Sequence, residues 1–367
     1  MSPLISFVIP TRERAYTLSY AIKSILQSDF RDFQLLVCDN FSGDETRKVV
    51  ESFSDQRLTY VRTPSRLSMT NNWEYAYNYV TGQYVCYIGD DDAIIASSIT
   101  PLADILYSNF FDTISWRPPV YQWGIDNHLP RIIHGSTKDY SAKPRFPRKT
   151  ALNVLRLGGW KYYNLAGTYH SLINRDILDL IKSENGQVFD STQPDLYTSI
   201  AVSLRCCGHS IGLNFPVTCH GRSQKSNSGS SLATDGKKNV HKFKSEFGVY
   251  YPDDLLPVEL SQDSAWLADA FIKAVKGSRQ YASLDLFNFS AMWAFATRLG
   301  YVTPLLVLSN TYLIKSYHSF NPFSYIFFFF FHLFAVYRRQ LIQFIKKDPG
   351  SFNSVHANIL DYVNSIQ

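Results

Sequence analysis

The chain has 367 residues, of which 45% are hydrophobic and 15% aromatic, and its formal net charge at pH 7 is +5. This composition excludes an intrinsically disordered protein, and the length suffices for one large domain or for several smaller ones. The basic residues are spread over many segments rather than massed in one arm. That distribution argues against a nucleic-acid-binding protein and favours an anionic lipid or a phosphorylated substrate as partner.

The first 110 residues alternate short apolar runs with longer segments whose apolar residues recur at spacings of three and four. This alternation predicts an α/β fold with a doubly wound, mostly parallel sheet flanked by helices. The loop after each strand would then lie at the carboxyl edge of the sheet, where open α/β folds bind ligands. The predicted strands are residues 4–9, 33–38, 58–62 and 84–89, and the predicted helices are residues 15–26, 44–53 and 69–80.

A cluster of negative charge follows the fourth predicted strand, where Asp90, Asp91 and Asp92 are consecutive. Three carboxylates this close require a compensating cation, and their hard oxygen atoms favour Mg²⁺ or Mn²⁺ over softer metals. Such a metal usually shares its ligand shell with substrate phosphates. The alternative is a solvated acidic turn that caps a helix beginning near Ser97.

The rest of the chain is less regular. Residues 111–150 are rich in proline and tryptophan, which indicates extended hairpins or an insertion, and residues 221–239 are too rich in serine and glycine for a packed element. Residues 255–348 form a mostly helical C-terminal extension in this prediction.

A stretch without formal charge, residues 321–337, lies within this helical part, with Lys315 before it and Arg338 and Arg339 after it. As a helix it would span roughly 25 Å, less than a hydrocarbon core of about 30 Å. We favour a helix at an anionic membrane surface, with contact through residues 321–347. A core helix, a homo-oligomer contact and a bilayer span stay open.

The cysteines and the N-terminal sequence indicate the cellular compartment. The five cysteines contain no C-x-x-C pair, and Cys38 and Cys86 lie in apolar, strand-like runs, as expected for buried thiols in a reducing compartment. The first ten residues lack the basic region and the cleavage site of a signal peptide. We therefore expect a cytoplasmic protein, at or near the inner face of the cytoplasmic membrane if the helix contacts lipid.

Polar motifs follow the first, second and fourth predicted strands. They are Ile9-Pro10-Thr11-Arg12, Asp39-Asn40-Phe41-Ser42-Gly43-Asp44-Glu45-Thr46 and Gly89-Asp90-Asp91-Asp92. In this order they resemble the nucleotide-binding half of family 2 glycosyltransferases with the GT-A fold, over about the first 110 residues. Two segments depart from the family pattern: Asn40 and Phe41 in the second motif, and Trp73 in the third helix.

The resemblance implies a nucleotide-diphosphate sugar as donor. Pro10, Thr11 and Arg12 would border the nucleotide, and Asp39 would accept a hydrogen bond from the base, since a carboxylate suits an imide N–H such as that of uracil. Arg12 or Arg66 would neutralise the diphosphate.

The family's D-x-D element corresponds to Asp90 and Asp92 in this chain. The resemblance makes Asp92 the direct Mn²⁺ or Mg²⁺ ligand and places Asp90 or Asp91 near the ribose and the sugar. A divalent cation there would stabilise the charge that grows on the diphosphate leaving group.

An inverting transfer also needs a base for the acceptor hydroxyl. Asp195 follows Pro194 at the start of a predicted helix, in a segment that resembles the family's Glu-Asp base motif, and is our candidate. An acid in the first turn of a helix is also ordinary capping chemistry. Asp190 is the reserve candidate.

His220 ends a strand-like run and opens into the Ser/Gly-rich segment. Many GT-A enzymes place a metal-binding histidine there, and an imidazole at such a position could complete a metal site, although a lone histidine is more often structural. Arg222 and Lys225 could reach the diphosphate if residues 221–239 close as a lid.

The sequence thus predicts a metal-dependent, inverting, non-processive glycosyltransferase that moves one sugar to an oligosaccharide or lipid-linked glycan. Its parts would be a nucleotide-sugar-binding half (1–110), an acceptor-binding half with base and lid (111–239) and a helical C-terminal region (240–367). A Gln-x-x-Arg-Trp motif of processive synthases is absent. Two alternatives stay open: a sugar-phosphate nucleotidyltransferase, disfavoured because the first glycine is Gly43, and a non-catalytic subunit of a glycan-assembly complex.

Overall fold

The computed structural model describes most of the chain, with several gaps. The described residues are 2–124, 130–134, 139–224, 262–281, 287–298, 303–311, 314–315, 320–346 and 358–366. Lys225 and most of the predicted lid, residues 225–239, lie outside these ranges.

The first third of the chain alternates strands and helices as the sequence predicts. Its elements are β1 (Ile5–Thr11), α1 (Ala15–Leu26), β2 (Phe33–Asp39), α2 (Thr46–Glu51), β3 (Leu58–Arg62), α3 (Met69–Tyr77), β4 (Tyr84–Tyr87), β5 (Ala93–Ile94) and α4 (Ile99–Ser108).

Short strands and three helices follow, and the described C-terminal elements are all helical. The middle elements are β6 (Thr113–Ser115), β7 (Val120–Gln122), β8 (Arg131–His134), β9 (Ala142–Arg145), α5 (Pro147–Arg156), β10 (Ser171–Asn174), α6 (Arg175–Asn185), α7 (Pro194–Arg205), β11 (Ser210–Leu213) and β12 (Thr218–Arg222). The C-terminal helices are α8 (Gln262–Lys276), α9 (Phe289–Arg298), α10 (Pro304–Ser309), α11 (Pro322–Lys346) and α12 (Ile359–Ser365).

The central sheet has eight strands in the order β3-β2-β1-β4-β10-β6-β11-β9. The first four are mutually parallel, β10 is antiparallel to both of its neighbours, and β11 is parallel to β6 but antiparallel to β9. Six strands therefore run in one direction and two in the other. The predicted α/β class, with a mostly parallel sheet, flanking helices and a helical C-terminal region, is confirmed.

Side chains that alternate along the strands fill a core on each face of this sheet. Phe7 and Ile9 pack on one face with helices α1 and α4, whereas Val8 and Leu36 pack on the other with α3, α7 and the C-terminal helices. This alternation follows from the two-residue period of a strand, and it explains why the strands are apolar throughout.

A second, four-stranded sheet, β5-β12-β7-β8, brings distant residues together beside β4. In the antiparallel pair of β12 with β5, Cys219 lies opposite Ala93. Because Asp92 precedes Ala93 and His220 follows Cys219, this register places Asp92 beside His220. The backbone of His170 hydrogen bonds to Tyr87 at the end of β4, which brings the residues before β10 to the same place.

None of the helices in the described ranges combines the length and hydrophobicity that a membrane-spanning segment requires.

Candidate active site

A cavity of about 290 Å³ opens at the carboxyl ends of β1 and β4. Its wall is formed by residues from the loops after β1, β2 and β4, from α3, from the segment before β10, from the start of α7 and from β12. Seven of the residues predicted from sequence line it: Pro10, Thr11, Arg12, Asp90, Asp91, Asp195 and His220.

Asp92 lies fully buried beside this cavity and accepts hydrogen bonds on both carboxylate oxygens. Oδ2 accepts from the backbone N–H of Gly89 at 2.5 Å and from the Tyr169 hydroxyl at 2.7 Å, and Oδ1 accepts from the N–H of Gly221 at 2.7 Å. Neutral donors thus fix the orientation of the carboxylate. They stabilise its negative charge without removing it.

Gly221 is required for this arrangement because β12 passes very close to the aspartate loop. A Cβ at residue 221 would lie 1.7 Å from the carbonyl oxygen of Asp91 and 3.0 Å from Nε1 of Trp123. Any larger residue would push β12 away from Asp91. The Gly221 N–H would then no longer reach Asp92, and His220 would move with it.

Two histidines approach the Asp92 carboxylate from opposite elements. Nε2 of His170 lies 3.3 Å from Oδ2, Nδ1 of His220 lies 3.3 Å from Oδ1, and the two ring nitrogens are 3.2 Å apart. One potential ligand atom from each of the three residues lies within 4.8 Å of the others. The predicted pair of Asp92 and His220 thus gains a third member, His170.

The charges of this cluster shift one another's pKa. Burial would raise the pKa of Asp92, but the two histidines outweigh it and hold this pKa well below its usual range. Burial lowers the pKa of His170. For His220 the hydrogen bond and charge of Asp92 outweigh burial and raise the pKa. An ionised carboxylate beside imidazoles is a set of donors suited to a divalent cation, so these residues fit the predicted metal.

The carboxylate of Asp90 contacts Thr11 and Arg14 rather than the two histidines. Its Oδ2 accepts from the Thr11 hydroxyl at 2.7 Å, and its Oδ1 pairs with Nη1 of Arg14 at 2.6 Å. Arg14 itself lines the cavity, as does Arg12. The guanidinium of Arg14 therefore both balances the buried Asp90 and adds positive charge where an anionic ligand would bind.

Asp91 points towards β12. Its Oδ2 accepts a hydrogen bond from the backbone N–H of Ser223 at 2.9 Å, and its carbonyl oxygen accepts one from the Trp123 indole at 2.9 Å. Burial, together with the charge of Asp92, raises its pKa to about 6. Near neutral pH this carboxylate is therefore close to its titration point.

Asp195 also lines the cavity, from the first turn of α7. Burial raises the pKa of its carboxyl group, and the backbone N–H groups of Leu196 and Asp195 oppose this effect. A carboxylate with a raised pKa has a higher affinity for a proton, which suits a general base.

Four of the remaining candidates lie outside the cavity wall. Asp39 accepts from the Tyr60 hydroxyl at 2.7 Å and from the N–H of Ser42 at 2.9 Å. Of the other three, Arg66 pairs with Glu13 and Asp190 pairs with Lys273 at 3.2 Å. The Nε atom of Arg222 is buried.

Sequence reasoning missed three residues of this site: Arg14, Tyr169 and His170. Arg14 lies two residues after the recognised motif that ends at Arg12. Its closeness to the end of β1 was the signal that could have identified it. Tyr169 and His170 directly precede the apolar run of β10. Nothing in the local pattern indicates that β10 pairs with β4, and this pairing brings them to Asp92.

Comparison with known proteins agrees with the predicted family. The profile of Glycosyl transferase family 2 matches residues 6–177, from β1 to the start of α6. Asp195 and His220 lie beyond the match.

Two curated relatives are glucosyltransferases. A UDP-Glc:α-D-GlcNAc-diphosphoundecaprenol β-1,3-glucosyltransferase of Escherichia coli is 28% identical over 106 residues, which are 29% of this chain and 42% of that protein. A GalNAc(5)-diNAcBac-PP-undecaprenol β-1,3-glucosyltransferase of Campylobacter jejuni is 31% identical over 103 residues, 27% of this chain and 33% of that protein. The chain therefore spans less than half the length of the curated relatives it matches.

Among solved structures, residues 1–349 of S. aureus TarS in complex with UDP-GlcNAc align with a TM-score of 0.49 and 14% identity, over 86% of this chain and 89% of that chain. The family profile covers β1, β2 and β4, the three strands whose ends carry the recognised motifs. The match covers 172 of the 367 residues, and within this part the chain resembles glycosyl transferase family 2.

Proposed function

We propose that this chain is a metal-dependent, inverting, non-processive glycosyltransferase. It would move one sugar from a nucleotide-diphosphate sugar to a hydroxyl group of an oligosaccharide or lipid-linked glycan. The observation that carries the proposal is one cavity lined by both Asp195 and His220, with His220 belonging to the cluster that also contains Asp92 and His170. The pairing of a carboxylate of raised pKa with a cation site is what an inverting transfer requires.

In the proposed reaction the acceptor hydroxyl oxygen attacks the anomeric carbon of the donor sugar. Asp195 takes the hydroxyl proton as the new C–O bond forms. The bond between the anomeric carbon and the diphosphate oxygen breaks, and its electron pair leaves with the nucleoside diphosphate. Because the acceptor and the leaving group lie on opposite faces of that carbon, its configuration inverts.

Asp92, His170 and His220 would hold the cation, Mn²⁺ or Mg²⁺, which supplies positive charge next to the leaving diphosphate. Arg12 and Arg14 lie in the same cavity wall and would add to that charge. Asp90 and Asp91 would lie near the ribose and the sugar, as the family resemblance implies.

The nucleotide would lie against Pro10, Thr11 and Arg12 at the end of β1. Asp39 would accept a hydrogen bond from the base, and its existing contacts with Ser42 and Tyr60 hold its carboxylate in place at the end of β2. Arg222 would contact the diphosphate if the segment after β12 closes over the donor. The division into donor half (1–110), acceptor half (111–239) and helical region (240–367) belongs to this proposal.

The acceptor is proposed to be lipid-linked, because both curated relatives are named for undecaprenol-linked acceptors. We accordingly propose that the enzyme acts at the inner face of the cytoplasmic membrane. Helix α11 supports the placement because one of its faces is apolar and exposed. Five aromatic residues spaced by four and three, each between 62% and 84% exposed, form this aromatic face: Phe323, Phe327, Phe330, Phe334 and Tyr337.

The charge of α11 favours an anionic bilayer over a second copy of the chain as the partner of the aromatic face. The helix contains no acidic residue, and Arg338 and Arg339 directly follow Tyr337. Two such helices would offer each other no opposite charge, whereas anionic headgroups would. The other side of α11 is already used, since Tyr325 and His332 are buried in the protein.

Vesicle flotation of the full chain tests this contact. We expect binding to vesicles that contain an anionic phospholipid and its loss in the triple variant Phe327→Gln, Phe330→Gln, Phe334→Gln. The matched control is Phe110→Gln, an equally exposed phenylalanine at the end of α4. Equal flotation of the triple variant and the wild type would refute the membrane contact, and dimer loss in the variant would favour self-association instead.

The reaction itself is tested by a thermal-shift panel of nucleotide sugars with Mn²⁺, followed by an assay of nucleoside diphosphate release with the donors that bind. A ligand that binds only the folded state raises the melting temperature. Release of nucleoside diphosphate supports the transferase. Release of pyrophosphate from a nucleoside triphosphate and a sugar phosphate would identify a nucleotidyltransferase, and stabilisation without any turnover would identify a non-catalytic subunit.

A further inference from the structure

We infer that the short helix α12 (Ile359–Ser365) is a positioning element of the proposed metal site. It covers one face of the four-stranded sheet β5-β12-β7-β8 and thereby holds Asp92 and His220 at the spacing that a shared cation needs. This role rests on the proposed metal site and goes beyond it, because α12 lies outside the recognised motifs and outside the family match.

Helix α12 shares one apolar core cluster with this sheet. Its buried side chains, each at most 7% exposed, are Ile359, Leu360, Tyr362 and Val363. The sheet and the residues next to its strands contribute Ala93, Ile95, Tyr121, Trp123, Ile132 and Cys219. The side chain of Asn364 also accepts a hydrogen bond from that of Gln27 on α1 at 2.8 Å. A helix of seven residues is not stable alone in water, so these contacts hold it in place.

The residues of the metal site and the contacts of α12 are neighbours in the chain. On β12, Cys219 belongs to the cluster with α12, whereas the next residue, His220, reaches Asp92. At the start of β5, Ala93 belongs to the same cluster and directly follows Asp92. Because successive side chains of a strand point to opposite faces, α12 covers the rear of the sheet whose front carries His220 and Asp92.

Aromatic rings connect α12 to the aspartate loop. Tyr362 stacks on Tyr121 of β7, with ring centroids 6.3 Å apart and an interplanar angle of 19°. The ring of Tyr121 in turn packs edge-to-face against Trp123 at 5.4 Å. The Trp123 indole donates its hydrogen bond to the carbonyl oxygen of Asp91. A shift of α12 would therefore displace the loop that carries the aspartates.

The small sheet depends on this cover because its strands are short. Strand β5 has two residues and β12 has five, and sheets of this size need packing against another element for stability. The front of the sheet tolerates little movement, since β12 fits against Asp91 only with a glycine at residue 221. Metal ligands must be held within about 0.5 Å of their binding positions, so loosening of the rear face should weaken cation binding.

Two measurements on the full chain test this role: Mn²⁺ titration, and hydrogen exchange of the backbone N–H groups of Gly221 and Ser223. These two groups donate to Asp92 and Asp91, respectively. Their exchange rates therefore report how firmly β12 is held against the aspartates, even without a metal.

Tyr362→Ala removes the ring that stacks on Tyr121. We expect about 10- to 100-fold weaker Mn²⁺ binding and at least about tenfold faster exchange at the two N–H groups. Val363→Ala, a smaller change in the same cluster, should show both effects in weaker form. Tyr362→Phe keeps the ring and should restore both quantities to within about twofold of the wild type.

Ile181→Ala is the matched control, because Ile181 is fully buried in a core cluster that does not include α12. It should lower the melting temperature, as Tyr362→Ala does, but leave Mn²⁺ affinity and the exchange of both N–H groups unchanged. Wild-type values in Tyr362→Ala, or equal changes in Ile181→Ala, would overturn the inference. A wild type that binds no Mn²⁺ would refute the proposed metal site, and the exchange rates alone would then decide the role of α12.

Discussion

The two sides of the cavity differ in how their carboxylates are held. On the side of β4, Asp90 and Asp92 are fully enclosed and accept hydrogen bonds from several donors each, including the hydroxyls of Thr11 and Tyr169. On the side of α7, the backbone N–H groups of Leu196 and Asp195 are what offset the effect of burial on the Asp195 carboxylate.

This difference separates two chemical roles. Against the effect of burial, His170 and His220 hold the pKa of Asp92 low, so its carboxylate keeps the negative charge that a cation needs. Burial without comparable support raises the pKa of Asp195, which makes it the better proton acceptor. In the proposed function the two aspartates therefore have different roles because their surroundings differ, and substitution should affect them differently.

The largest effect is expected for Asp92→Asn. The new amide presents N–H groups to Gly221, Gly89 or Tyr169, which are themselves donors, and the variant loses the negative charge of the cluster. We expect turnover to fall by at least about 10³-fold, with weakened Mn²⁺ binding and a lower melting temperature. Steady-state kinetics, metal titration and thermal melts measure the three quantities.

Asp104→Asn, at an exposed position of α4, is the control for this variant and should match the wild type. Mn²⁺ affinity and turnover of Asp92→Asn within tenfold of the wild type would exclude Asp92 as a metal ligand.

Asp195→Asn should lower kcat by about 10²- to 10⁴-fold while the fold is retained. Because the surroundings of Asp195 disfavour its charged form, removal of the charge should leave the melting temperature unchanged or raise it, in contrast to Asp92→Asn. Donor and Mn²⁺ affinities should stay within a few-fold of the wild type. A lowered melting temperature with parallel loss of donor binding would indicate a structural role instead.

Asp190→Asn tests the reserve candidate. Its carboxylate pairs with Lys273 and does not line the cavity, so kcat should change by less than about threefold. A loss comparable to that of Asp195→Asn would transfer the role of base to Asp190.

The sequence predicted the nucleotide-binding half well because its signals are local. Strand β3 was predicted with its observed bounds, and the aspartates after β4 stood out as consecutive charges. The ligand cluster was predicted only in part, because His170 reaches Asp92 through the insertion of antiparallel β10 next to β4. Such a strand order depends on contacts between segments about 90 residues apart and leaves no periodic pattern in the sequence.

Because the pKa of Asp195 is raised, kcat should depend on pH. A base acts only when deprotonated, so at saturating donor and Mn²⁺ kcat should fall as pH decreases through this pKa. The acidic limb of the profile should lie above the ordinary aspartate value of about 3.9. Saturating metal removes the competition between protons and Mn²⁺ at the histidines. Persistence of the same limb in the residual activity of Asp195→Asn would assign it to another group.

The smallest effect is expected for Arg14→Gln. This variant removes the ion pair between Arg14 and Asp90 but keeps every aspartate of the site. Asp90 would keep its hydrogen bond from Thr11 but lose the guanidinium at 2.6 Å. Loss of one charge-assisted hydrogen bond predicts a rise of about tenfold in the KM for the donor, with kcat changed by less than about threefold. Arg47→Gln is the matched control, because Arg47 pairs with Glu51 on α2 outside the cavity wall and its removal should leave KM within twofold. If both variants behaved alike, general positive charge rather than the contact with Asp90 would account for donor affinity.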